Sequence, residues 1–167
     1  MLDDELASWL ALYQIPGLGN GSMRSLLQTF GSAAGIFAAS EHALREIVKP
    51  AVAQGIARGR DESGLQAAAA WLEDSNNAIL TLADPEYPQT LLNIPDPPLL
   101  LYVKGQRALL NQPALAIVGS RNATAQGINN AEAFAEALSS AGMCIVSGLA
   151  HGIDAAAAGT VEDHGER

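Results

Sequence analysis

Two short apolar runs, "ALAIVG" from residue 114 and "CIVSG" from residue 144, flank a stretch over about 127–140 in which Ala131, Phe134, Ala135 and Leu138 fall at i, i+3, i+4 and i+7. Parallel neighbours need a crossover connection, usually a helix, so a strand, a helix and a second strand in this order read most economically as a parallel pair. The pattern therefore predicts one βαβ unit with a right-handed crossover, and the fold class is α/β. Parallel sheets bury both faces and need more strands than two. The next stretch, "LAHGIDAAAAGTVEDHGER", starts a further helix at or near Asp154 and reaches Arg167 without another strand. The expectation is an N-terminal piece of a longer protein, aggregation-prone or partly molten by itself.

Upstream the periodicity is helical to about residue 75. "DDELASWLALYQ" places Leu6, Trp9, Leu10 and Tyr13 at helical spacing, with Asp3, Asp4 and Glu5 at the positive end of the helix dipole. "IPGLGNGS" breaks the pattern, and "MRSLLQTF" resumes it and stops at Gly31. Further helical pieces lie around 33–39, 41–48, 52–59 and 62–74, the last with Leu65, Ala68, Ala69 and Leu72 on one stripe. Composition then changes, because five of the eight prolines fall in "SNNAILTLADPEYPQTLLNIPDPPLLLYVKG". There "AILTL" and "LLLYV" read as short strands joined by an ordered, proline-bearing loop. The domains predicted are 1–75, helical, and 76–167, strand-containing.

The net charge of −9 excludes a protein that coats nucleic acid by bulk electrostatics. Splitting the chain does not alter this. Residues 1–113 hold seven Lys/Arg against twelve Asp/Glu, and residues 114–167 hold two against six. Nucleic-acid contacts must be local. With no long apolar run and an acidic rather than basic N-terminus, the sequence predicts a cytoplasmic protein without a membrane partner. Cys144, the single cysteine, reads as a small core residue.

Chemistry concentrates at the ends of the two parallel strands, where open α/β sheets bind ligands. In "VGSRNATAQG", Gly119 allows a close backbone approach, Ser120 offers a hydroxyl and Arg121 can grip two phosphate oxygens. N–H groups from Ser120 to Asn122 and from the helix start near Gly127 can converge on an anion. A plain turn whose arginine pairs with a surface carboxylate fits the same spacing. In "SGLAHGID", Ser147, Gly148 and Gly152 repeat the device, and Asp154 is placed to cap the next helix. His151 reads as a loop histidine, and His42 and His164 as helix-surface residues. "IPGLGNGSMRSLLQTFG" has helix-hairpin-helix spacing, with Arg24 its nearby base; one more turn in a helical bundle is the competing reading. No Cys/His cluster, triad or carboxylate pair stands out, so no metal, cofactor or catalytic residue is predicted.

Together, "IPGLGNGSMRSLLQTFGSA", "DPEYPQTLLNIPDPPLLLYVKG", "AIVGSRNATAQG" and "VSGLAHGIDAAA" resemble the DNA-processing protein A family (DprA, also called Smf). The resemblance implies a SAM or helix-hairpin-helix-like helical domain followed by the first part of an extended Rossmann-like domain. It further implies a non-enzymatic, dimeric protein that binds single-stranded DNA, protects incoming DNA and loads the RecA recombinase onto it during natural transformation. Family DNA contacts map onto Gly119, Ser120 and Arg121; the wider set expected here adds Asn122, Gly127, Ser147, Gly148 and Gly152, with Asp154 supporting the loop. Two departures are that Ala157 and Ala158 follow "GIDAA" where a histidine is common, and that Gln126 replaces an aromatic. The alternative is a Rossmann-like enzyme acting on a nucleoside monophosphate, for which "AAGTVED" is a poor counterpart of the glycine-rich stretch such enzymes carry. A third reading is an interaction module whose helical part does the work.

Overall fold

The structure, a computed structural model, describes residues 2–162. The chain is α/β and divides into two compact units, one up to Leu110 and one from Asn111.

The first unit has six helices among the described residues: α1 (Asp4–Tyr13), α2 (Asn20–Phe30), α3 (Ala33–Ala38), α4 (Glu41–Arg45), α5 (Pro50–Ala57) and α6 (Glu62–Trp71). Local chemistry sets their ends. Asp3, Ser32, Ser40 and Asp61 each accept a first-turn N–H, Pro50 opens α5, and Gly31 closes α2 in the left-handed conformation at φ 80°. α1 is buried along Ala7–Leu12 rather than on one stripe, which makes it the central helix of a core with Leu26, Ile36, Leu44 and Ile56. Tyr13, expected on that stripe, is instead exposed at the helix end.

Strands β1 (Asn77–Thr81) and β2 (Leu100–Lys104) pair antiparallel, from Asn77 opposite Lys104 to Thr81 opposite Leu100. The loop between them is fixed by its own bonds. Asp84 accepts from the Thr81 N–H (2.6 Å) and hydroxyl (2.7 Å), and the buried Tyr87 donates to Pro98 O at 2.6 Å. Ile79, Leu99 and Leu100 join the helical core. Composition breaks near residue 75, yet compactness runs on to Leu110, because this hairpin buries its apolar face with the helices.

In the second unit β3 (Ala114–Ala116) runs parallel to β4 (Cys144–Val146), with α7 (Ala125–Ser140) between them in sequence and α8 (Ile153–Glu162) following. The predicted βαβ unit forms, with shorter strands. Pairing ends one bond past Ala116, where the Ile117 N–H donates to Val146 O, and the chain then turns into its loops. α7 starts two residues earlier than its apolar spacing suggests, since Thr124 caps it by accepting from the Gly127 N–H at 3.1 Å. Ala131, Ala135 and Ala157 are buried where α7 packs on α8, while Phe134, expected on the inner stripe, is 64% exposed. Cys144 is a half-buried free thiol rather than a core residue.

Candidate nucleic-acid interface

The loop after β3 and the loop after β4 are stitched together by the start of α8. Asp154, 6% exposed, accepts from the Gly119 N–H on one carboxylate oxygen (3.1 Å) and from the Gly148 N–H on the other (3.2 Å). The Ile153 N–H donates to Ser120 O at 3.2 Å. The Ser147 hydroxyl lies 3.0 Å from Ile117 O and 3.2 Å from Asp154 O. Gly152, at φ 84°, runs so close that a Cβ there would strike Ser120 O and Arg121 O. A Cβ on Gly119 would come 2.8 Å from Ile153 Cγ1.

All nine residues singled out in the sequence thus lie on these two loops and the helix starts beside them, but their polar groups face two ways. Gly119 and Gly148 turn their N–H groups inward, onto Asp154, so a buried carboxylate fills the space between the loops. The helix-cap role expected of Asp154 is not among its side-chain bonds: the residue lies inside the first turn of α8, and its carboxylate instead bridges two loops 35 and 6 residues away in sequence. Gly127 spends its N–H on Thr124, and Asn122 donates its N–H to Ser120 Oγ at 3.2 Å. The Ser120 hydroxyl as a donor, the N–H groups of Ser120 and Arg121, and the first-turn N–H groups of Ala125 and Gln126 have no acceptor among the described residues. Arg121 is the one lysine or arginine of residues 111–162, is exposed, and has no carboxylate partner among the described residues. Among the described residues, the turn with a neutralised arginine is therefore not what forms.

Spacing alone did not reveal Thr124 and Ile153. A Thr three residues before a helical glycine is a capping signal, whereas Ile153 matters only through the loop it packs on. His151 is exposed in the second loop, His42 is exposed on α4, and His164 lies outside the described residues. Arg24 of the helical hairpin is committed elsewhere. It reaches Asp96 (2.7 Å) and Pro97 O (3.3 Å), and Asn20 also donates to Asp96 (3.1 Å). Those hydrogen bonds, from Arg24 first and Asn20 second, hold the Asp96 carboxyl below its ordinary value of 3.8. In the first unit a recess of about 260 Å³ is lined by Asp3, Glu5, Trp9, Ile79, Thr81 and Asp84. Its carboxylates are already engaged in capping and turn bonds, and no metal-binding cluster occurs among the described residues.

Comparison with known proteins shows the family. The family described as DNA recombination-mediator protein A matches residues 78–166, which include both loops. The chain belongs to that family. Protein Smf of Synechocystis sp. is 34% identical over 165 residues, covering 93% of this chain and 40% of that protein. The DNA processing protein DprA of Streptococcus pneumoniae is 44% identical over 77 residues, 46% of this chain and 27% of that protein. The X-ray structure of DprA from Streptococcus pneumoniae superposes with a TM-score of 0.73 at 28% identity, over 95% of this chain and 54% of that one. The chain thus spans well under half the length of these curated relatives. No helix among the described residues is long and apolar enough to cross a membrane.

Proposed function

We propose that this member of the recombination-mediator family binds single-stranded DNA through the outward face of the loop after β3, and that the full protein acts as a cytoplasmic dimer that protects incoming DNA and delivers it to RecA during natural transformation. The observation that carries the reading is Arg121, exposed and unpaired among the described residues, beside the Ser120 hydroxyl and the open first turn of α7. An arginine with no carboxylate partner among the described residues, next to donors with no acceptor, is suited to the oxygens of a phosphate from outside. The reading is of a binding protein rather than an enzyme. In this assignment Arg121, Ser120, Asn122 and the α7 start near Gly127 face the sugar-phosphate chain, and Ser147, Gly148 and Gly152 build the second loop against them.

Magnitudes explain why one such corner needs a second. A hydrogen bond to a charged group contributes about 1.5–3 kcal/mol, and a helix N-terminus about 0.3–1 kcal/mol. Their sum, about 2–4 kcal/mol, corresponds to affinities of only about 1–50 mM. Two subunits on one strand raise apparent affinity by about 10²–10⁴ through effective concentration. An obligate monomer of the full protein should therefore bind a long oligonucleotide far more weakly than the dimer, and equal affinities would remove the argument for dimerisation.

The direct test is fluorescence anisotropy of a labelled single-stranded oligonucleotide, titrated with full-length protein over a range of salt. Arg121→Ala is expected to raise Kd by about 10- to 150-fold for each subunit that loses its charge-assisted contact, and to reduce the salt slope by about 0.7 per subunit. Unchanged Kd and slope would overturn the assignment.

A further inference from the structure

The inward half of the same corner has a role that binding DNA does not explain. A buried carboxylate is costly unless every oxygen is matched. Asp154 meets this condition with two backbone N–H groups, one from each loop, and with no cation among the described residues. Those two N–H groups are the ones a glycine-rich cradle would ordinarily turn to a phosphate. Here an internal anion has taken them, and its charge opposes a second anion in the same place.

We propose that Asp154 is the positioning residue of this interface: its carboxylate locks the loop after β3 to the loop after β4, so that Arg121 is presented outward in one fixed place, and DNA never enters the space between the glycines. The inference rests on the single-stranded DNA reading above and deepens it, since it assigns Gly119 and Gly148 to the lock and Arg121 to the ligand. The surrounding contacts agree. The Ile153 bond to Ser120 O and the close approach of Gly152 to Ser120 and Arg121 attach the first loop to the start of α8, the helix that carries Asp154.

The consequence of substitution follows from donor and acceptor count. In Asp154→Asn the amide oxygen can still accept one N–H, but the NH₂ group presents hydrogens to the other, so one loop is released. Gly148→Ala crowds the lock without changing charge, because its Cβ would stand 3.0 Å from Asp154 Oδ2 and the carboxylate must give by a few tenths of an ångström, which lengthens its bonds to the loops. A loop free to move must be ordered when DNA binds, which lowers affinity without removing a phosphate contact.

The experiment uses full-length protein and two readouts. In anisotropy titrations, Asp154→Asn and Gly148→Ala should each weaken oligonucleotide binding by about 10-fold, and by less than about 2-fold when Arg121→Ala is already present, the non-additivity of residues that act as one unit. In hydrogen–deuterium exchange, both substitutions should speed exchange over 117–123 and 146–152 while leaving 129–137 of α7 unchanged, which a general loss of stability would not do. If either folded variant binds like the wild type, or weakens binding equally with and without Arg121, the positioning role is overturned while the DNA reading stands. If wild-type binding does not depend on Arg121, both fall together. Should Asp154→Asn fail to fold, Gly148→Ala decides by the same criteria.

Discussion

Glu5 and Gly152 show how single residues do work whose partners lie far off in sequence. Glu5 accepts from Trp9 Nε1 (3.1 Å) within α1, and from the N–H groups of Ala33 (2.8 Å) and Ala34 (3.1 Å) at the start of α3. Its place in the acidic first turn of α1 was legible; its service to a second helix was not. Glu5→Ala leaves those donors unmatched and should lower the stability of the helical unit by about 1–3 kcal/mol, measured by urea denaturation. Leu26→Ala, at a fully buried position, should cost about 2–5 kcal/mol in the same assay. The sequence marks Gly152 as a site of close backbone approach, and so it is, but what approaches is the protein's own loop at Ser120 and Arg121. Gly152→Ala meets both a left-handed φ and that loop, and should loosen the corner and weaken DNA binding together, as read by exchange over 117–123 and by anisotropy.

At the scale of elements, the helices followed from periodicity and capping residues, and the boundaries missed in the second unit follow bonds made there. Thr124 caps α7 ahead of its apolar pattern, while β3 and β4 stop where Gly119 and Gly148 turn to Asp154. Carboxylate hydrogen bonds join elements to one another at Asp4 and Asp96 and fix a helix start at Asp61. The Arg60 hydrogen bond lowers the Asp4 carboxyl, Ser63 lowers Asp61 at the start of α6, and Arg24 lowers Asp96 in the β1–β2 loop. With folded pKa values depressed below the ordinary 3.8, these groups contribute stability that is fully present above that value and lost as pH falls through the lowered ones. Urea midpoints for the helical unit should therefore be level with respect to these three groups above about pH 5 and decline towards about pH 3. Asp96→Asn should make that decline shallower.

Across the whole molecule, the two compact units differ in what they bury. The first encloses Trp9, Leu10, Leu12, Leu26, Ile36, Leu44 and Ile56, whereas the buried apolar residues of the second, among those described, are the alanines 131, 135 and 157. Burial of large side chains contributes about 1.5–3 kcal/mol each and of alanine far less. In this 167-residue chain, amide protection should persist in α1 and α2 under conditions that have already released α7 and α8, and simultaneous loss in a hydrogen-exchange series would contradict the difference.

What the sequence determined by itself was local: helix caps, the proline-bearing connector, the βαβ order, and a Gly-Ser-Arg turn beside a Ser-Gly turn. These depend on spacing and on each residue's own conformational preferences. Only the tertiary structure decided which of the turn's donors face solvent. Gly119 loses its N–H to a carboxylate 35 residues on, and Arg24 loses its guanidinium to one 72 residues on, while Arg121 keeps its charge free among the described residues. A donor's availability depends on whichever acceptor the fold carries to it, and that is a fact of position in space which residue spacing along the chain does not encode.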